Sequence, residues 1–204
     1  KSQMFDPLKN RIFGGIIRGD NMKPEGTYSG EYIDTDYSGW ILNSISASAS
    51  NKIQIYLHTD QVQTVEEWQS GLQQTIKDAT MNEETAFGKT RNWWQQFWDR
   101  SFIYIQPEEA DRNSPLWQAG RNYQLFRYML GCNAFGKYPT KFNGGLFTFD
   151  PSLTESDLIF TPDFRRWGGG TMTAQNQRLV YFPMIKSGDF EMMKPQFDFY
   201  LRPL

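Results

Sequence analysis

The hydrophobic pattern of this chain changes period once, near Thr64, and that single change limits the folds open to it. Before it the signals are strand-like: "RIFGGIIRG" from Arg11, "GWILNSISASAS" from Gly39 and "NKIQIYLHT" from Asn51. In the last of these Ile53, Ile55 and Leu57 share one face, with Lys52, Gln54 and Tyr56 on the other, the alternation of a half-buried antiparallel strand. After it the spacing is helical. Thr64 with Glu67 three residues on reads as a capping box, and Val65, Trp68, Leu72 and Ile76 recur along one helix face. Strands followed by helices, without alternation, exclude a parallel sheet wound with helices and define an α+β chain.

The polar stretch "DATMNEETAFGK" (78–89) reads as a loop or linker before "TRNWWQQFWDRS". "SPLWQAGRNYQLFRYMLGC" (114–132) opens with a serine cap and proline at the first helical position. It carries Leu116, Trp117, Tyr123, Phe126, Tyr128 and Leu130, enough to expect a largely buried helix. No helical period is visible from about Asn133 to Gly170, and a long loop of this kind inside a domain is where a site is expected. A further helix is expected over about 171–185, then an αα-hairpin completed by "FEMMKPQFDFYLR", capped by Asp189 and striped by Phe190, Met193, Phe197 and Leu201. Pro183 and Pro195 each imply a kink or helix end.

Composition narrows the chemistry. A net charge of −2 argues against a nucleic-acid or acidic-membrane partner. One cysteine, Cys132, permits no internal disulfide, and with a single histidine, His58, it argues against a protein-ligated zinc or a Cys-His nucleophile. Any chemistry runs on carboxylates and amides. Aromatics make up 16% of the chain, and flat rings serve both as core filler and as platforms for sugar rings.

The triple glycine in "RRWGGGTMTAQNQRLVYFP" (165–183) invites a phosphate-cradle reading. It lacks the Gly-Lys-Ser/Thr and G-x-G-x-x-G spacings and a buried strand leading in, so it reads as a close backbone approach at a pocket mouth. Asn143 and Asn176 can fix sugar hydroxyls or a water at constant charge, and Trp167 can form an apolar wall. Arg165 and Arg166 can donate to hydroxyls or hold Asp163. The structural alternatives stand beside these: a core tryptophan, a solvated arginine pair, and Asp150 and Asp163 as turn residues. Cys132 reads as a small buried hydrophobe and His58 as a surface or interdomain side chain.

The register "W-GGGTMTA-Q-N-QRLVYFP" resembles the six-hairpin glycosidases, glycoside hydrolase family 95 in particular, with Trp167, Asn176 and Tyr181-Phe182-Pro183 at the matching places. "YPTKFNGGLF", through Pro139, Phe142, Asn143 and Gly144, is similar to that family's sugar-pocket loop, and "FRYML" to its Arg-Tyr helix, through Arg127 and Tyr128. The resemblance runs from about Trp93 to the end. The chain departs from it at Ala174, where the family has a first asparagine, with Gln175 beside it.

The resemblance implies the end of an antiparallel β-sandwich domain (1–63), a helical linker (64–113) and the first hairpins of an (α/α)6 toroid (114–204). It further implies a glycosidic-bond hydrolase acting without a cofactor, by inversion. Asn176 would position water or substrate; Asn143, Gln175, Arg165, Arg166 and Trp167 would bind the sugar. Acid and base carboxylates would come from later hairpins, beyond Leu204, and the setting would be periplasmic or secreted. A carbohydrate-binding protein and a phosphorylase remain as alternatives. Starting at Lys1 and stopping within an amphipathic segment, the chain reads as a piece of a larger protein. Alone it is expected not to hydrolyse a glycoside, and to need another copy or the rest of its barrel over its apolar stripes.

Overall fold

A computed structural model describes residues 6, 8–142 and 174–202. The chain divides into two units, 1–88 and 89–204. In the first, β1 (Arg11–Gly19) pairs antiparallel with β4 (Ile53–Gln61), and β2 (Met22–Glu31) with β3 (Asp36–Ser44). The β2–β3 turn uses two residues, Ile33 and Asp34, both at positive φ (47° and 54°), closed by Tyr32 and Thr35 hydrogen-bonding each other's backbone. A bulge at Pro24/Gly26 is allowed by Gly26 at φ 135°.

Helix α1 (Val65–Arg100) starts at the expected cap. The Glu67 N–H donates to Thr64 Oγ1 at 3.2 Å, and the Glu67 carboxylate accepts the Gln63 N–H at 2.9 Å. Trp68, Leu72 and Ile76 pack on Tyr56 of β4 to make the small core of the first unit. The strand therefore turns its Tyr56/His58 face to the helix and leaves Ile53, Ile55 and Leu57, expected as the buried face, 55%, 61% and 74% exposed. His58 is half-buried rather than superficial: Nδ1 lies 3.3 Å from Thr75 Oγ1, and Nε2 is buried without a partner against Gly71, where a side chain would collide with it.

Residues 78–89, read as a loop, are helix. The segment has no proline and is rich in Ala, Met, Glu and Lys, good helix formers. Its missing period has a simple cause: residues 77–87 are exposed on every side.

In the second unit α2 (Pro115–Cys132), α3 (Ala174–Ser187), a short 3-10 helix (Phe190–Met193) and α4 (Lys194–Leu201) follow the last third of α1. The core gathers Phe97, Leu130, Ala134, Val180, Tyr181, Met184 and Met192. Gly131 lets α2 lie against Trp94, at a spacing no Cβ would fit. The expectation of a largely buried α2 fails at Leu116, Leu125 and Tyr128, which are exposed; its buried residues are Gly120, Arg127, Leu130 and Gly131.

These elements overturn the sandwich-and-toroid expectation. Among the described residues there are two separate two-stranded sheets and a few helices, not a sandwich edge and the first hairpins of an (α/α)6 toroid. A toroid hairpin needs two long helices. Here α3 is followed by one 3-10 turn and an eight-residue α4, because Pro195, lacking an N–H, fits only in the first turn of a helix. Pro183, by contrast, lies inside α3.

Candidate functional site

Of the residues singled out in the sequence, Asn143, Arg165, Arg166 and Trp167 lie outside the described residues. Gln175 and Asn176 sit in the first turn of α3, Gln175 exposed and Asn176 half-buried. The next residue, Gln177, carries the contacts to residues 140–142. It is buried, and its side-chain amide donates to Thr140 O at 2.9 Å and accepts the Phe142 N–H at 3.2 Å, with a further bond to Gln196 at 3.3 Å. One turn on, Tyr181 Oη accepts the Thr140 N–H at 2.9 Å. Together they clamp residues 140–142 onto α3, satisfying backbone groups that would otherwise be buried unpaired. Burial pushes the Tyr181 phenol above its ordinary value, opposed by the Thr140 contact and reinforced by Tyr200.

The other end of α3 is held by charge. Asp189, expected as a helix cap, makes no capping bond and points inward. Its Oδ2 accepts from Arg127 at 3.0 Å and from Ser187 Oγ; its Oδ1 accepts from Arg127 at 3.2 Å and from Arg100 at 2.8 Å. Arg127 is 2% exposed, also donates to Phe97 O at 3.0 Å and to Ser101 O, and lies 4.0 Å over the Phe97 ring. A buried carboxylate with two guanidinium partners and a hydroxyl has its lone pairs committed, so it braces α1, α2 and the end of α3.

Beside this brace opens a cleft. One compartment, about 310 Å³, is walled by Trp93 and Phe135, with the buried Phe97 behind them and Gln96, Arg100 and Glu191 as its polar groups. A second, about 420 Å³, lies along α4 and shares Phe135 and Glu191 with the first. Phe97 stacks on Trp93 at 5.3 Å, and Phe135 meets Trp93 edge to face at 5.7 Å. Phe135 is 65% exposed, and Arg100 keeps a partly exposed side chain, its orientation fixed by Asp189. Aromatic walls with a few directed polar groups suit a ring that is apolar on its faces and hydroxylated at its rim. Ser187 lies eleven residues from Asn176, so this cleft opens at the opposite end of α3, about 16 Å along the helix axis. A separate groove of about 440 Å³ on α2, with Trp98, Tyr104 and Trp117, is mostly apolar.

The sequence reading missed both the brace and the cleft. The signals were present: Trp93, Trp94, Phe97 and Trp98 at helical spacing, and a lone Asp after Ser-Gly. Among the described residues no group of three or more His, Cys, Asp or Glu is placed to hold a metal ion, and no helix is long and apolar enough to cross a membrane.

Residues 1–103 match the family DUF5703_N, described as a domain of unknown function. The match spans just over half of the 204 residues, and the chain belongs to that family. It covers β1 to β4 and α1, and so includes Trp93, Gln96, Phe97 and Arg100 of the cleft. No curated protein and no solved structure matches the chain.

Proposed function

We propose that this chain supplies a sugar-binding surface to a glycoside-processing protein, and that the parent reaction is hydrolysis of a glycosidic bond by inversion. The observation that carries the reading is the cleft, where Trp93 and Phe135 stand beside Gln96, Arg100 and Glu191. The resemblance of the segment around Trp167 and Asn176 to glycoside hydrolases supports the same substrate class. Inversion needs two carboxyl groups roughly 6.5 to 9.5 Å apart, one giving a proton and one activating water. In the first compartment Asp189 is committed to Arg100, Arg127 and Ser187, which leaves Glu191, so the reading assigns the acid-base pair to residues other than those described. That commitment of Asp189 also favours a second reading, a carbohydrate-binding protein without hydrolysis.

Titration of the chain with a panel of neutral oligosaccharides, followed by tryptophan fluorescence and by release of reducing ends, tests the proposal. Saturable binding weakened at least tenfold by Trp93→Ala, without sugar release, is the expected result. Absence of binding to every member up to millimolar concentration refutes it.

A further inference from the structure

We infer, on the same reading of the cleft, that its ligand is a neutral oligosaccharide held over at least two consecutive sugar units, with Phe135 as the wall common to two subsites. Three observations carry this. First, the cleft consists of two compartments, about 310 and 420 Å³, each large enough to count as a small-ligand site, and they meet at Phe135 and Glu191. A single ring would fill one and leave the other in water.

Second, each compartment has its own polar set. Gln96 and Arg100 serve the first; Lys194 and Asp198, ion-paired one turn apart on α4, serve the second. An ammonium beside a carboxylate offers donors and acceptors together, which is what a vicinal diol requires. Glu191 lies where the two sets meet and can accept from hydroxyls on either unit.

Third, the charges balance. Among the described residues the two compartments and the brace behind them carry three cations, Arg100, Arg127 and Lys194, and three carboxylates, Asp189, Glu191 and Asp198. A site for uronate or sulfated sugars needs an excess of cations. Balanced charge and exposed aromatic surface fit a neutral chain.

The test is calorimetric titration of the 204-residue chain with methyl glycosides of glucose, galactose, xylose and fucose, with neutral disaccharides ending in each, and with the corresponding uronic-acid disaccharides. At least one disaccharide should bind tenfold or more tightly than its methyl glycoside. Lys194→Ala/Asp198→Ala, on an exposed helix face, should bring that ratio close to one, and Phe135→Ala should weaken both ligands. The uronic-acid ligand should bind no better than the neutral one. Equal affinity for one and two units, an unchanged ratio in the double variant, or preference for the uronate overturns the inference while leaving sugar binding in place. No binding by any sugar overturns the proposed function with it.

Discussion

Replacing Asp189 by asparagine keeps shape and removes one charge, which isolates what the brace contributes. In the wild type the carboxylate is fully buried and joined to Arg127, which is buried with it, and to Arg100, whose side chain is 43% exposed. Arg100 can return to water, so its lost pair costs about 0 to 1 kcal/mol. Arg127 cannot. Its guanidinium would keep two carbonyl partners, Phe97 O and Ser101 O, and face an amide in place of an anion. Leaving a buried charge uncompensated costs about 3 to 5 kcal/mol, a large part of the ~5 to 15 kcal/mol by which domains are stable. Urea unfolding read by tryptophan fluorescence reports this unit through Trp93, Trp94 and Trp98, which pack around Phe97. With a urea slope near 2 kcal/mol/M the midpoint should fall by about 2 M. Arg127→Met/Asp189→Leu, which removes both buried charges, should recover most of the loss. A midpoint shift of Asp189→Asn below roughly 0.3 M at that slope, or a double variant no better than the single, would refute the argument.

Three other outcomes are expected. Tyr181→Phe should leave the buried Thr140 N–H without an acceptor and cost about 1 to 3 kcal/mol in the same unfolding assay. Because burial raises the Tyr181 phenol in the folded chain, its contribution is full below the ordinary tyrosine value near 10 and is lost as pH rises through the raised folded value. Tyr128, hydrogen-bonded to Cys132, is raised as well, so ultraviolet titration should show one late-ionising phenol fewer in Tyr181→Phe than in the wild type; identical curves would contradict this. Ile33 is β-branched at φ 47°, so Ile33→Asn should raise the melting temperature by the equivalent of about 1 kcal/mol, and a fall would show that the side chain matters more than the backbone. Finally, Ile55, Leu57 and Trp40 in the first unit and Phe190, Phe197 and Leu201 in the second are exposed, so residues 1–204 should self-associate in ultracentrifugation at micromolar concentration; a clean monomer would count against it.

Strand and helix type were legible wherever one face of an element packs. The period-2 pattern of Ile53, Ile55 and Leu57 located β4, yet both of its faces carry large side chains, and only the partner, Trp68, Leu72 and Ile76, decides that Tyr56 turns inward. The polar run from Asp78 to Lys89 concealed a helix because a stretch solvated on all sides leaves no hydrophobic period to read. At the site, the resemblance drew attention to Asn176 and Gln175, while packing gave the buried contacts to Gln177. Asp189 has the sequence setting of a cap, and nothing local shows that Arg127, 62 residues earlier, will claim it. The toroid expectation came from resemblance alone, and Pro195 at the start of α4 with a 3-10 turn before it explains why the last segment is not one long helix.

The claim that the cleft beside Trp93 receives a sugar can be tested on the indole N–H signals of the seven tryptophans. Their positions would be followed in a two-dimensional NMR titration with a neutral disaccharide chosen by calorimetry. The account predicts that the Trp93 signal shifts saturably, with an affinity that matches calorimetry, and that Phe135→Ala suppresses the shift. Shifts confined to Trp98 and Trp117, at the apolar groove of α2, with Trp93 unmoved, would contradict it.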